Sequence, residues 1–572
     1  MKAGRKPPRF PLEGSEPSSL ESLALAGLAA ALAVGVMLWL AGELSGRIFG
    51  GAWPNTGLGE MGGVLARLPS HAGDPAAAWP PPARDLIPGS LAFYGILATI
   101  LTPIAGAGFL LLRRRMRADG GRANARWARP SDLRPLRVGS SEAGRLSLGL
   151  VDGRLVAAEP RQSVIVVGPV QTGKTSGFAI PAILEWQGPV VATSVKTDLL
   201  RETLAARRAV PGAKVWIYDP TGGTGFARAC WNPLAGCTTW RGAQQVASWL
   251  VSAARPGAAG IESAEFWYSA AARLLAPVLF AAASAGGTMA EVVRWIETQE
   301  RDDVFAGIDL GDEAGADTAF RSFTSLDDRT LSGIYATTAT VLIAYADPGV
   351  LESAFSSDLQ AKSLLDGGFH TAYLCAPAHE QRRLQPLFST LVQEIVAAAY
   401  ERATEGPLDP PLLLVLDECA NIAPLRDLAT LAATGAGQGI QLVSVFQDMA
   451  QINAVYGRDR TPTIVTNHRA KVILSGIADA ATFEYVARLL GDEEVRQTSA
   501  TTGAEGRRST TESVAYRSLA PANALREMRP GQGLLVYGHL APARIALRPW
   551  FADRRLRELA HARGSQFVEA AR

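Results

Sequence analysis

The sequence predicts an α/β protein with a mostly parallel sheet, preceded by two hydrophobic segments near the amino terminus. Three observations support this prediction. The chain of 572 residues has two long runs without charge before residue 113. Beyond them, short apolar runs rich in β-branched residues alternate with helical patterns. One of these runs continues into a glycine-rich loop and then a helix, a strand–loop–helix order that is typical of α/β folds.

The composition fits a globular protein with a membrane-associated part. Hydrophobic residues make up 48% of the chain and charged residues 19%, which excludes a disordered protein. The net charge of +2 carries no overall signal for nucleic acid, although residues 113–137 hold nine arginines against two aspartates. Cys230, Cys237, Cys375 and Cys419 match no zinc-binding spacing, so we expect reduced and mostly buried thiols.

The two uncharged runs, residues 22–42 and 86–112, are predicted transmembrane helices. The first run covers ~31 Å as a helix, about the thickness of a bilayer's hydrocarbon core. A cleaved signal peptide is the alternative, but the run is long for one and a second span follows it. Positive charges in residues 1–21 and in the basic juxtamembrane segment 113–160 predict that both termini are cytosolic, with the loop 43–85 outside.

A glycine-rich loop follows the apolar run Ser163–Val167 and fits the phosphate-binding pattern G-x-x-x-x-G-K-[ST]. In such loops the backbone N–H groups surround phosphates, the lysine reaches the β- and γ-phosphates, and the hydroxyl binds Mg²⁺. A chance match is the alternative, but the helical pattern at residues 178–186 places the loop between a strand and a helix. The predicted nucleotide-binding residues are Gly168, Pro169, Val170, Gln171, Thr172, Gly173, Lys174, Thr175 and Ser176.

Two acidic residues end a second apolar strand at residues 411–416. Asp417 is predicted to bind Mg²⁺ together with Thr175, because a buried carboxylate needs a partner of opposite charge. Glu418 is predicted to polarise the attacking water as the catalytic base, with Lys174 as a second catalytic group. The alternative is a strand that simply ends in solvent, which is common for such pairs.

A third apolar strand, residues 439–446, ends at Gln447. This amide is predicted to sense the γ-phosphate or to orient the water, although an ordinary polar residue at a strand end is the alternative. The remaining predicted strands are 190–193, 214–218, 371–375 and 470–474. Since ligands bind at the carboxyl ends of parallel strands, we expect Lys174, Asp417 and Gln447 to lie together.

Taken together, these segments resemble the type IV coupling proteins, the membrane ATPases that link a DNA–relaxase complex to a type IV secretion channel in bacterial conjugation. The resemblance extends from the first span to about Asp553. Besides the anchor, the glycine-rich loop and the acidic pair, it rests on Ser194–Asp198, Asp219–Thr221, Trp231–Leu234, Phe446–Ile452, Tyr456–Gly457 and Asn467–Val472.

The resemblance implies a homo-hexameric ring of RecA-like P-loop NTPase domains, formed here by residues 161–237 and 354–553. It implies an all-helical domain inserted at residues 238–353 and leaves residues 554–572 as a tail. ATP and Mg²⁺ would be the cofactors, the cell membrane the location, and single-stranded DNA with its relaxase and the secretion channel the partners. A relative that delivers only proteins is equally compatible with these residues.

One position departs from the family pattern. The family often carries an arginine before the third strand that reaches the neighbouring subunit's nucleotide, but Ala436 stands there. Either another arginine has this role, with Arg426, Arg458 and Arg469 as the candidates, or hydrolysis is activated differently.

Two other functions stay open at this point: a DNA translocase of chromosome segregation, and a nucleotide-binding receptor or scaffold without turnover. The first usually has more spans, a long linker and a DNA-reading domain at its end. The pair of acids argues against the second. Residues 498–513, rich in serine and threonine, are predicted to form an exposed loop.

Overall fold

A computed structural model of the protein describes residues 19–120, 125–194, 197–255, 262–502 and 508–561. These residues form two compact units that divide near residue 123.

The first unit consists of two long helices and the segment that connects them. Its helices are α1 (Ser19–Phe49), α2 (Met61–Arg67) and α3 (Ser90–Gly120), and its short 3₁₀ turns are Leu58–Glu60, Leu68–His71, Pro75–Ala78 and Ala83–Leu86. The stretches Leu32–Phe49 of α1 and Ser90–Leu110 of α3 are long and apolar enough to cross a membrane. Apolar helices near the amino terminus are therefore present, as the sequence predicted.

Helix α1 extends seven residues beyond the uncharged run that was predicted to end at residue 42. The added turns contain Glu43, whose side chain is buried and accepts hydrogen bonds from the backbone N–H groups of Asn55 (3.1 Å) and Thr56 (2.7 Å). These bonds satisfy the carboxylate, so the helix continues through a charged residue. Behind them Trp79 packs edge-on against Phe93, with ring centroids 5.1 Å apart. The connecting segment is therefore a folded cap.

An eleven-stranded sheet is the centre of the second unit, and a separate pair of strands forms a ribbon. The strands are β1 (Ser147–Val151), β2 (Arg154–Ala157), β3 (Val164–Val167), β4 (Val190–Ser194), β5 (Val215–Tyr218), β6 (Thr371–Cys375), β7 (Leu412–Leu416), β8 (Ile440–Phe446), β9 (Ala470–Leu474), β10 (Asp492–Thr502), β11 (Arg508–Ser518), β12 (Gln532–Tyr537) and β13 (Ala543–Ala546).

The order of strands in the large sheet is β2-β1-β13-β12-β9-β3-β8-β7-β4-β6-β5. From β9 to β5 every neighbouring pair is parallel, whereas β12, β13, β1 and β2 add to one edge in antiparallel pairs. The parallel strands β3, β4, β6, β7 and β8 are buried on both faces, which explains their continuous apolar runs. The predicted α/β class with a mostly parallel sheet is confirmed.

The second unit also contains helices, some beside the sheet and others in a helical domain. They are α4 (Ile180–Glu185), α5 (Thr197–Arg208), α6 (Trp240–Ala254), α7 (Glu262–Ser284), α8 (Met289–Thr298), α9 (Asp302–Gly311), α10 (Ala314–Thr324), α11 (Asp328–Val341), α12 (Pro348–Ser353), α13 (Ala361–Leu364), α14 (Gln381–Ala403), α15 (Cys419–Ile422), α16 (Leu428–Thr434), α17 (Met449–Tyr456), α18 (Thr461–Asn467), α19 (Ala480–Leu490), α20 (Ala522–Arg526) and α21 (Arg554–His561). A π-helical turn spans Thr175–Ala179, and 3₁₀ turns span Arg134–Leu136, Pro233–Gly236, Ile343–Ala346 and Gly435–Gln438.

A helical domain is inserted between β5 and β6, where the described residues from α6 to α12 include no strand. Its central helix α7 contains Ala264–Ser284, a third stretch apolar enough to cross a membrane. In the structure 61% of this stretch is buried, against 6% of Ser90–Leu110. Leu274, Leu275 and Leu279 belong to a core shared with the sheet. The apolar character of α7 is therefore that of a core helix.

The prediction of an exposed loop at residues 498–513 is wrong for the part of this segment that the structure describes. Its flanks belong to β10 and β11, which pair antiparallel in register from Asp492 opposite Ser518 to Thr502 opposite Arg508. Repeated threonines favour extended backbone, while the lack of an apolar face hides the strand signal from a search for buried strands. Where the burial of its residues is described, the ribbon is mostly exposed and otherwise half-buried.

All four cysteines are free thiols, and Cys237, Cys375 and Cys419 are buried. Among the described residues no three histidine, cysteine or acidic side chains cluster as metal ligands. The prediction of reduced, mostly buried thiols is confirmed.

Candidate functional site

The glycine-rich loop, the acidic pair and the third strand meet at one edge of the sheet. Strand β8 lies between β3 and β7, and the three are parallel. Their carboxyl ends therefore point to the same side, where Gly168, Asp417 and Gln447 follow them. The backbone N–H of Gly168 donates to the carbonyl oxygen of Phe446 at 3.1 Å, which ties the start of the loop to the end of β8.

Backbone carbonyl groups of the glycine-rich loop bind the Lys174 side chain. The Lys174 ammonium donates to the carbonyl oxygens of Gly168 at 2.5 Å and Pro169 at 2.7 Å. Gln171 and Gly173 have left-handed φ angles of 66° and 90°, which open the turn. A Cβ on Gly168 would lie 2.7 Å from the Cβ of Leu474, so only glycine fits this first position. This backbone has the shape that the phosphate-binding pattern requires.

A helix begins at the loop's end, earlier than residue 178 where the sequence predicts it. Its first turn, Thr175–Ala179, is a π-helix that continues into α4. The carboxyl-terminal part of the chain supports this turn, because the backbone N–H of Trp550 donates to the carbonyl oxygen of Ser176 at 3.0 Å. Sequence reasoning missed this contact, which joins residues more than 370 positions apart.

The structure brings Thr175 and Asp417 into direct contact. The Thr175 hydroxyl donates to Oδ2 of Asp417 at 2.9 Å, across 242 positions of sequence. Asp417 is buried, and no group among the described residues donates a hydrogen bond to its second oxygen, Oδ1. A buried carboxylate oxygen without a donor is suited to a cation. Together with the hard oxygen of Thr175, this donor set fits Mg²⁺.

Burial raises the pKa of the Asp417 carboxyl from 3.8 to about 6. The hydrogen bond from Thr175 opposes this rise, the nearby charge of Glu418 adds to it, and the positive charge of Lys174 opposes it. The carboxylate thus lies within the electrostatic influence of the loop's lysine, and a bound cation would favour its ionised form.

A threonine on the neighbouring strand also positions Asp417. The Thr193 hydroxyl, fully buried on β4, donates to the backbone carbonyl oxygen of Asp417 at 2.9 Å. Sequence reasoning missed Thr193, because the strand predicted at residues 190–193 had no assigned neighbour in the sheet. Val195 and Lys196, two residues of the family resemblance, lie outside the described residues.

Glu418 follows Asp417 with a left-handed backbone, φ 53°. This conformation is uncommon for a residue with a Cβ and turns the chain sharply between β7 and α15. Its carboxylate accepts a hydrogen bond at Oε2 from the Asn421 side chain at 3.1 Å. Gln447 donates its backbone N–H to the Gln451 side chain at 2.9 Å. Sequence reasoning missed Asn421, and it included Gln451 in the family resemblance without assigning it a role.

The three alternative arginines differ in their surroundings. Arg426 and Arg458 are exposed. Arg469 lies 3.2 Å from Glu159 and stacks over the Tyr537 ring, so its guanidinium is engaged within its own chain. An arginine that acts on a neighbouring subunit stays a prediction for Arg426 or Arg458.

Curated relatives show similarity across much of this chain. Conjugal transfer protein TraG of Agrobacterium fabrum is 28% identical over 398 residues, which cover 66% of this chain and 58% of that protein. Protein VirD4 of the same organism is 24% identical over 339 residues, covering 57% of this chain and 49% of that protein. The chain therefore spans about half to three fifths of the length of these relatives.

Solved structures share the fold. The bacterial conjugative coupling protein TrwB, in a form named deltaN70, superposes with a TM-score of 0.57 at 20% identity, covering 74% of this chain and 92% of that one. TrwB in complex with ADP and Mg²⁺ superposes with a TM-score of 0.56 over the same share of this chain.

A family model also matches this chain. It is described as Type IV secretory system Conjugative DNA transfer, and it matches residues 129–570, most of the chain. The chain therefore belongs to the Type IV secretory system Conjugative DNA transfer family.

Proposed function

We propose that this protein is a membrane-anchored ATPase that couples a DNA–relaxase complex to a type IV secretion channel and uses ATP hydrolysis to drive delivery of single-stranded DNA. The contact between Thr175 and Asp417 carries the proposal, because it unites a phosphate-binding loop with a metal-binding acid. Membership of the conjugative DNA transfer family supports the choice of substrate. TraG, similar over 66% of this chain, is itself named a conjugal transfer protein.

Each residue of the site has a distinct role in this proposal. The backbone from Gly168 to Ser176 and the Lys174 ammonium bind the ATP phosphates. Thr175 and Asp417 hold Mg²⁺, which neutralises charge on the phosphates when bound. TrwB has been solved with ADP and Mg²⁺ and with an ATP analogue, which supports these cofactors.

Hydrolysis depends on two residues beyond the metal site. Glu418 accepts a proton from the attacking water, and the hydrogen bond from Asn421 holds its carboxylate at the end of β7. Gln447, at the end of the strand beside the loop, orients that water or senses the γ-phosphate.

The first unit anchors the protein. Helices α1 and α3 span the cell membrane, both termini lie in the cytosol, and the folded cap between them faces outward. The second unit assembles as a homo-hexamer around the transported strand and meets the relaxase and channel components.

Four full-length proteins in detergent test the ATPase proposal: wild type, Lys174→Ala, Glu418→Gln, and the control Lys214→Ala. Lys214 is an exposed lysine beside β5, the strand at one edge of the sheet, with four strands between β5 and β3. Binding of a fluorescent ATP analogue and phosphate release, with and without single-stranded DNA, are the measurements.

Wild type and Lys214→Ala should bind and hydrolyse ATP, faster with DNA. Lys174→Ala should lose binding, and Glu418→Gln should bind normally while losing ~10²-fold or more in turnover. Unchanged turnover in Lys174→Ala would refute the site. Absence of hydrolysis by wild type with DNA would indicate a nucleotide-binding scaffold.

A further inference from the structure

A chain of side-chain amides connects the end of β8 to the carboxylate of Glu418. The backbone N–H of Gln447 donates to Oε1 of Gln451 at 2.9 Å. The Gln451 amide N–H donates to Oδ1 of Asn421 at 3.4 Å, and the Asn421 amide N–H donates to Oε2 of Glu418 at 3.1 Å. All four side chains are partly shielded from solvent.

The two ends of this chain set the direction of every bond in it. A backbone N–H can only donate, and an ionised carboxylate can only accept. Both amides must therefore place their oxygens toward Gln447 and their nitrogens toward Glu418. All three bonds point the same way, an arrangement in which each hydrogen bond polarises and strengthens the next.

The helices that carry the two amides are themselves fixed. The Gln385 side chain donates to the carbonyl oxygens of Ala420 (3.2 Å) and Asn421 (3.3 Å), which holds α15 against α14. On α17, the Asp448 side chain caps the helix by accepting from the backbone N–H of Gln451 at 2.7 Å. Both amides are carried by helices that are held in place. A shift at one end of the hydrogen-bonded chain is therefore passed to the other end.

We propose that Asn421 and Gln451 are positioning residues that fix the Glu418 carboxylate according to the position of the Gln447 end of β8. The proposal rests on the proposed role of Glu418 as the catalytic base. With Oε2 held by Asn421, the rotation of the carboxylate is limited and its other oxygen is directed to one place. A displacement of the strand end reaches the base through two amides and needs no charged group.

The proposal predicts a specific kinetic pattern. Asn421→Ala and Gln451→Ala should each lower kcat about tenfold, as expected when a general base is present but misdirected. The affinity for a fluorescent ATP analogue should stay within about twofold of wild type, since neither amide belongs to the phosphate loop. Asn453→Ala, which removes a partly exposed amide from α17 outside the chain of bonds, is the matched control.

A double-mutant cycle separates a connected chain from two independent groups. Because either substitution interrupts the same path, Asn421→Ala with Gln451→Ala should lose no more activity than one substitution alone. In a Glu418→Gln background, neither substitution should lower the residual rate further.

The outcomes are distinct. If Glu418→Gln retains full turnover, the base lies elsewhere and the proposed function of Glu418 fails. If Glu418→Gln is inactive while Asn421→Ala and Gln451→Ala keep wild-type kcat, only the positioning role fails. Losses that multiply in the double variant also overturn it. Should Asn421→Ala fail to fold, Gln451→Ala and Asn421→Ser carry the same kinetic test.

Discussion

Asp417 allows a quantitative test, because its buried carboxyl titrates within an accessible pH range. We consider the substitution Asp417→Asn, which removes the charge and keeps the shape. Burial raises the pKa of Asp417 from 3.8 to about 6 in the folded protein. A rise of about two units corresponds to about 3 kcal/mol, at ~1.4 kcal/mol per unit.

The direction in which stability changes with pH follows from proton linkage. The folded-state pKa of Asp417 is above its ordinary value, so folding favours the protonated carboxyl. This contribution to stability is complete below pH ~4 and is lost as the pH rises through about 6. Without Mg²⁺ and nucleotide, wild type should therefore lose ~3 kcal/mol relative to Asp417→Asn between pH 4 and pH 7, about half of it above pH 5.

Thermal melting of both full-length proteins from pH 5 to pH 8 is the assay. For a unit of the size of residues 124–572, ~2.1 cal/mol/K per residue gives about 1 °C per kcal/mol. The variant should thus gain about 1–2 °C over wild type across this range. The asparagine side chain does not titrate, so its own effect on stability is the same at every pH. It therefore does not alter how the difference in melting temperature changes with pH. A difference that does not change with pH would refute the raised pKa.

Three further substitutions test other contacts. Gly168→Ala should reduce nucleotide affinity at least about tenfold, because the added methyl meets Leu474; a binding titration measures this, and normal affinity would contradict it. Trp79→Ala should destabilise the cap by ~3–5 kcal/mol, seen as faster proteolysis of that segment. Arg548→Ala should cost ~3–5 kcal/mol by leaving buried Glu185 unpaired, whereas an unchanged melting temperature would show that water replaces the pair.

The sequence predicted the parallel strands well and the antiparallel edge poorly. Strands such as β6 and β9 are buried on both faces, so their apolar runs are continuous and end at the predicted residues. The strands β1, β2 and β13 are short and include exposed or half-buried positions, which weakens any periodic signal. The pairing of β1 with β13 joins residues several hundred positions apart.

The candidate site likewise contains residues that the sequence predicted and residues that it did not. Lys174, Thr175 and Asp417 belong to local patterns whose meaning depends on a few neighbouring residues, and the structure places Thr175 against Asp417. Asn421 belongs to no such pattern, and Gln451 lies in the family resemblance without a predicted role, because the contact between the two joins helices that are separate in sequence. Tertiary packing determines these contacts, and no local sequence pattern identifies them.

The long separation in sequence between Thr175 and Asp417 has a consequence for folding during synthesis on the ribosome. A nascent chain that has emerged only as far as the helical domain carries the phosphate loop without its acid partner. Domains commonly fold in order as they leave the ribosome. The contact between Thr175 and Asp417 can therefore form only after the helical domain has been made, and a chain terminated within that domain would lack it.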